Sequence, residues 1–181
     1  MYREPKHIAS WYNKNNIGKD IYNITIETMP DKIIDFGILY GYSTVCLAQA
    51  VRDNGVGHVY AYDLFEEYQY NNSVKDIVYH NLKYYELDEY VTFKKLNFHE
   101  WIKEHEDFDL LHLDISNDGN TILEVYEKYP DSKIIFEGGT YERDLIEWMR
   151  KYKRKQITSI KDEINYRVIN EKFPALSGVN V

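Results

Sequence analysis

The segment from Lys32 to Thr44 most constrains the fold of this chain. It starts as a short apolar run that ends at Asp35, continues through Gly37 and Gly41, and then takes on a helical pattern. Glycines in such a turn let the backbone approach a ligand closely, and the first N–H groups of a helix attract a carboxylate or phosphate. The segment therefore predicts a strand, a tight turn and a helix N-terminus that together bind a small anionic cofactor.

The glycine spacing disfavours a dinucleotide. The dinucleotide fingerprint is G-x-G-x-x-G, whereas this chain has Leu39 at the middle position and Thr44 near the third. The pattern D-x-G-x-x-x-G-Y-S instead resembles motif I of class I S-adenosylmethionine (SAM) methyltransferases, and in particular the variant of catechol- and caffeoyl-CoA-like O-methyltransferases. This resemblance implies a set of SAM-binding residues in the segment, namely Asp35, Gly37, Gly41, Tyr42 and Ser43.

Later strands extend the same resemblance. The second predicted strand, residues 59–63, ends in an acid where the family places the carboxylate that binds the ribose hydroxyls. The resemblance therefore implies that Asp63 binds the ribose, with Leu64 beside it. The third predicted strand ends at Asn97 and Phe98, where relatives carry residues beside the adenine.

The fourth predicted strand, residues 108–114, resembles the family's F-D-L-x-x-x-D strand, whose last acid lies beside the methyl group. This implies that Asp114 is both a cofactor contact and the catalytic residue. Within the same strand, His112 is expected to be a hydrogen-bonded core residue. A fifth strand is predicted over residues 133–137, so the resemblance covers the strands in their family order.

The element pattern and the resemblance predict an α/β, Rossmann-like class I methyltransferase fold. We expect a mostly parallel seven-stranded sheet with helices on both faces and a terminal antiparallel hairpin, formed by residues 157–160 and 166–170. Residues 1–181 are expected to form one domain, with 1–17 as a helical N-terminal extension or lid. The predicted helices cover residues 20–28, 42–53, 73–87, 98–103, 121–129 and 141–151.

Composition limits the partners and the location. The chain has 181 residues, of which 44% are hydrophobic and 29% charged, as in an ordinary globular domain. The net charge of −8 disfavours nucleic acid, because that affinity depends on Lys and Arg contacts with phosphates. No apolar run approaches the roughly 18 residues of a membrane span and no signal-peptide core is present, so we expect a cytoplasmic protein without membrane association.

Methyl transfer from a sulfonium needs an in-line nucleophile and often a base or a metal. The resemblance implies a divalent ion held by an acid after the fourth strand and by an Asp-Asp or Asp-Asn pair near the fifth. Asp114 matches the first ligand and Glu137 offers another oxygen, but two glycines follow, and only Asn117 and Asp118 could compensate. A divalent metal is therefore possible but not favoured, and we expect Asp114 to act without one.

The predicted function is SAM-dependent methyl transfer, at oxygen, to a small-molecule or carbohydrate-like acceptor. Two alternatives stay open. The incomplete set of metal ligands is compatible with a non-catalytic module that binds SAM or a nucleotide. A nucleotide-dependent oxidoreductase is the third possibility, which the missing third glycine and the terminal hairpin disfavour.

Overall fold

The computed structural model describes residues 1–68 and 74–181, which contain one seven-stranded sheet. The strand order is β3-β2-β1-β4-β5-β7-β6, with β1 to β5 parallel and β7 antiparallel to both of its neighbours. The strands are β1 (Lys32–Phe36), β2 (His58–Asp63), β3 (Val91–Lys95), β4 (Leu110–Leu113), β5 (Lys133–Glu137), β6 (Arg167–Asn170) and β7 (Leu176–Val179). The predicted fold class is confirmed.

Helices pack against both faces of the sheet. The α-helices of the described residues are α1 (Ile17–Thr28), α2 (Tyr42–Asn54), α3 (Lys75–Tyr84), α4 (Phe98–Trp101), α5 (Gly119–Lys128), α6 (Tyr141–Asp144) and α7 (Glu147–Lys151). Short 3-10 helices cover Tyr12–Lys14, Phe65–Glu67, Asp88–Tyr90 and Ile157–Ile160. None of these helices combines the length and the apolar character that a membrane span requires.

Strand β1 lies in the middle of the sheet, between β2 and β4, and apolar clusters cover both of its faces. Ile33 and Ile34 are completely buried, and they belong to different apolar clusters, one on each side of the sheet. A parallel strand covered on both faces has no polar–apolar alternation, in agreement with its sequence.

Two glycines shape the turn between β1 and α2. Gly37 has a φ of +87°, and a Cβ atom there would lie 2.2 Å from the carbonyl oxygen of Asp114. Gly41 has a φ of +84°, and its Cβ would lie 2.7 Å from a methyl carbon of Val78. Glycine at these positions therefore allows the loops after β1 and β4 to approach each other, and α3 to pack on the start of α2.

The terminal hairpin forms at a different place from the predicted one. It pairs β6 with β7, and residues Ile157–Ile160 form a 3-10 helix instead of a strand. The carboxylate of Asp144 accepts hydrogen bonds from the backbone N–H groups of Ile157 and Thr158, which fixes this turn. The prediction missed β7 because this short strand contains Ser177 and Gly178, which carry little strand propensity.

Other boundaries also differ from the prediction. The helix expected over residues 141–151 is interrupted at Ile146, whose ψ of 150° is extended, so that α6 and α7 are separate. The N-terminal extension is mostly non-helical, with only the 3-10 turn Tyr12–Lys14 before α1. The remaining predicted helices are present with shifted ends, and position 73 of the predicted 73–87 helix lies outside the described residues.

We predict that Gly41→Ala lowers the free energy of unfolding by about 2–4 kcal/mol, because the new methyl group meets Val78 in a left-handed backbone. Gly55→Ala is the matched control, since Gly55 also has a positive φ but open space around its Cβ. It should cost only about 1–2 kcal/mol. Urea denaturation measures both, and equal losses would show that the contact with Val78 has no steric effect.

Candidate functional site

A cavity of about 1150 Å³ opens at the carboxyl ends of the parallel strands. Its wall consists of the loops that follow β1 to β5, together with residues 9–14 of the N-terminal segment. Open α/β sheets bind ligands at this edge. The volume is slightly above the range of roughly 300–1,000 Å³ typical of small-ligand pockets, so it offers space for a cofactor and a second small molecule.

Six of the predicted site residues line this cavity, namely Gly37, Asp63, Leu64, Asn97, Phe98 and Asp114. Asp63 is held in place by the backbone. Its Oδ2 accepts the N–H of Ile38 at 2.8 Å and its Oδ1 accepts the N–H of Phe65 at 2.7 Å. A carboxylate oxygen has more than one acceptor position, so both oxygens remain able to bind a ligand in a fixed orientation.

The other predicted residues, Asp35, Gly41, Tyr42 and Ser43, are not among those that line the cavity. Asp35 is completely buried, and its carboxylate accepts hydrogen bonds from Thr44 Oγ1 at 2.6 Å and from Ser43 Oγ at 3.2 Å. The hydroxyl of Tyr42 donates to Glu4. The polar side chains of Asp35, Ser43 and Tyr42 thus bind one another or the N-terminal segment, and their contact with the cofactor stays a prediction.

His112 differs from the expected fully hydrogen-bonded core histidine. Its Nδ1 lies 2.7 Å from Asp35 Oδ1, but its buried Nε2 has no hydrogen-bond partner among the described residues. Burial alone would lower the pKa of His112, whereas the hydrogen bond and the charge of Asp35 raise it above its ordinary value. The histidine therefore acts mainly as a partner for the buried carboxylate.

Asp114 is held from two sides of the cavity. The Tyr12 hydroxyl donates to its Oδ2 at 3.0 Å, and the Asn117 amide donates to its Oδ1 at 3.4 Å. Burial, followed by the negative charge of Asp114, raises the pKa of Tyr12, so the phenol stays protonated and remains a donor. Sequence analysis missed this role, because nothing in the local sequence around Tyr12 distinguishes it from an ordinary packing residue of the N-terminal segment.

Glu137 and Arg143 form an ion pair in the cavity wall. Glu137 Oε1 accepts two hydrogen bonds, from Arg143 Nε at 2.8 Å and from Nη2 at 2.6 Å. Burial and then the charge of Asp114 raise the pKa of Glu137 to about 8, while Arg143 acts in the opposite direction. Arg143 is the second residue that sequence analysis missed, since nothing in its local sequence marks it as a partner of Glu137.

The donor set around Asp114 and Glu137 does not match a resident divalent metal. Residues 1–68 and 74–181 contain no group of three or more His, Cys, Asp and Glu side chains that could hold one. One oxygen of Glu137 is engaged by the guanidinium, and Asp118 accepts backbone N–H groups at the start of α5. Hard divalent ions require several oxygen ligands. Metal-independent action remains a prediction.

Comparison with known families decides the class of protein. A family model described as a methyltransferase domain matches residues 34–134, more than half of the chain. The chain belongs to this methyltransferase family. The matched range runs from β1 to the start of β5 and contains all the predicted site residues. A comparison with curated proteins found no match.

Solved structures of methyltransferases share the fold. The methyltransferase PaMTH1 of Podospora anserina, with SAH bound, has a TM-score of 0.66 at 14% identity over 95% of this chain and 79% of its own. An O-methyltransferase of Bacillus cereus in complex with SAH has a TM-score of 0.61 at 18% identity over 97% and 83%. The O-methyltransferase TomG of Streptomyces achromogenes in complex with SAM has a TM-score of 0.62 at 11% identity over 94% and 80%.

The methyltransferase should lose stability as the pH rises from about 5 to about 8. We predict that Glu137→Gln makes this loss smaller. The pKa of Glu137 is raised from 4.5 to about 8 in the folded protein, so the folded state holds a proton that the unfolded state releases, and stability falls across this window. Glutamine keeps an oxygen for Arg143 but does not ionise.

Urea denaturation at several pH values tests this. The variant should gain free energy of unfolding relative to wild type as the pH rises. Glu142→Gln, at an exposed position of α6, is the control and should show no such trend. A constant difference between Glu137→Gln and wild type across the window would contradict the raised pKa.

Proposed function

We propose that this methyltransferase binds SAM in the cavity at the strand ends and transfers its methyl group to an oxygen of a small-molecule acceptor. The observation that carries the proposal is the meeting of Gly37, Asp63, Asn97 and Asp114, from the ends of four strands, in one cavity of about 1150 Å³. The family assignment gives the class of reaction.

The cofactor is proposed to lie along the ends of β1, β2 and β3. Asp63, held by two backbone N–H groups, is suited to accept hydrogen bonds from two vicinal ribose hydroxyls. Asn97 and Phe98 offer an amide and a largely buried aromatic ring for the adenine, with Leu64 beside them. Gly37 leaves bare backbone at the centre of the cavity wall, where a side chain would obstruct close approach.

Charge supports the same orientation. SAM carries a positively charged sulfonium beside the methyl group that it transfers, and the carboxylate of Asp114, proposed to lie beside that methyl group, lines the cavity. Such charge-assisted contacts are stronger than neutral hydrogen bonds. The residues present therefore suit a small cofactor with positive charge and a ribose, which is the chemistry of SAM.

When bound, SAM supplies a methyl group on a positively charged sulfur, which an acceptor oxygen attacks in line. Asp114 is proposed to take the hydroxyl proton of the acceptor as the new C–O bond forms. Its orientation is fixed by Tyr12 and Asn117, so no reorganisation is needed during the reaction. Residues 9–14 line the cavity and are proposed to act as a lid that excludes water.

We predict that Asp63→Ala weakens the binding of S-adenosylhomocysteine by roughly 1.5–3 kcal/mol, the range for hydrogen bonds to a charged group. Isothermal titration calorimetry measures this. Asp109→Ala is the matched control, because Asp109 also accepts two backbone N–H groups, from Asp31 and Lys32, at the opposite end of β1. The control should keep wild-type affinity.

The result separates the candidate functions. Unchanged affinity in Asp63→Ala would remove Asp63 from the site. Absence of binding to the wild-type protein would contradict the proposed function, and binding of NAD in its place would favour the oxidoreductase.

A further inference from the structure

The guanidinium of Arg143 is a buried cation with unused hydrogen-bonding capacity. The side chain is only 6% exposed and belongs to the cavity wall. Its Nε and Nη2 atoms both donate to a single oxygen of Glu137, while Nη1 has no partner among the described residues. A buried, unpaired donor on a charged group is costly, so its presence in a cavity wall requires an explanation.

The ion pair of Arg143 is weakened by the surroundings of its partner. Glu137 is its ionic partner, but burial and the charge of Asp114 raise the pKa of Glu137 to about 8 and so favour its neutral form. Asp114, the other acid near this pair, already accepts hydrogen bonds from Tyr12 and Asn117. Arg143 therefore keeps the capacity to pair with a second anion through its unpartnered Nη1.

A second guanidinium lines the same cavity. Arg154 has a buried Nε without a partner among the described residues, and its Nη1 lies 3.6 Å from Asp118 Oδ2, a long ion pair. Trp148 adds an aromatic surface to the cavity wall. Helix α5 contributes one charged residue to this wall, the exposed acid Glu124. Two cations and an indole thus surround the part of the cavity after β5.

This region lies on the side of the cavity away from the proposed ribose site. In the sheet, β5 is three strands from β2, which corresponds to about 14 Å at the usual strand spacing. Asp63 and Arg143 therefore belong to opposite halves of the cavity. A molecule beside Arg143 is in the position of the acceptor, with Asp114, at the end of β4, between it and the ribose site.

We propose that Arg143 binds an anionic oxygen of the methyl acceptor, which is therefore an organic acid that carries a carboxylate or similar group in addition to the oxygen to be methylated. A guanidinium recognises a carboxylate through paired, charge-assisted hydrogen bonds. Only the identification of the ligand as the acceptor rests on the proposed function, since the anion binds whether or not methyl transfer follows.

The test compares acids with their uncharged amides in the presence of S-adenosylhomocysteine. Acetate and acetamide form one pair, and 4-hydroxybenzoate and 4-hydroxybenzamide form the other, with binding followed by NMR titration. The acids should bind at least about tenfold more tightly than the amides to wild type, and Arg143→Gln should abolish this preference. Arg150→Gln, an exposed arginine of α7 outside the cavity, should keep it.

Further variants guard against loss of folding. Glu137→Gln keeps a hydrogen-bond acceptor for Arg143 but cannot ionise, so it should retain the preference for the acids, whereas a Glu137→Gln/Arg143→Gln double variant removes both members of the buried pair together and should show no preference. Equal binding of acid and amide to wild type, or a preference that survives in folded Arg143→Gln, would overturn the proposal.

Calorimetry with S-adenosylhomocysteine distinguishes this proposal from the proposed function. Arg143→Gln should bind S-adenosylhomocysteine as wild type does. A selective loss of that affinity would show that Arg143 binds the cofactor's own carboxylate and would overturn the acceptor assignment. If wild type binds the acids but not S-adenosylhomocysteine, the proposed function fails while the anion site stands.

Discussion

The buried carboxylate of Asp35 is the constraint on which the arrangement of this cavity depends. A carboxylate without solvent is stable only when it is fully hydrogen-bonded, because its desolvation costs several kcal/mol. Asp35 meets this condition with donors from two neighbouring elements, the hydroxyls of Ser43 and Thr44 in α2 and the imidazole of His112 in β4. These contacts join the end of β1 to the start of α2 and to the neighbouring strand.

The cavity lies just beyond this junction. Because Asp35 fixes the end of β1, Gly37 comes close to the backbone of Asp114, and the loops after β1 and β4 meet. Asp63 then connects the loop after β2 to the same place through the N–H of Ile38. The residues that face a ligand are thus held by backbone contacts, and such preorganisation reduces the cost of binding.

Much of this framework could be predicted from sequence. The acid and glycines of the segment from Lys32 to Thr44 predict the central strand, the turn and α2, and the order of later strand ends predicts where Asp63 and Asp114 meet. The register of β1 against β4 could not be predicted, so the contact between Asp35 and His112 was missed. A sequence shows that a strand ends in an acid but does not show which donors will surround it.

Side-chain contacts without a signal in the local sequence limited the prediction in three other places. Tyr12 reaches Asp114 across 102 positions of the chain. Arg143, in α6, donates to Glu137, six positions earlier at the end of β5, and this pairing has no sequence motif of its own. The turn at Ile157–Ile160 is fixed by Asp144, so its β-branched residues form a helical turn and β7 takes the place beside β5.

Hydrogen exchange with and without S-adenosylhomocysteine tests the central claim most directly, because it reports where the molecule binds and not only whether it does. The account predicts slower exchange in residues 37–40, 63–65, 96–98 and 114–117, which follow β1 to β4, and unchanged exchange in β6. Unchanged exchange at the first three of these segments, or protection confined to another face of the sheet, would contradict the claim that the strand-end cavity is the SAM site.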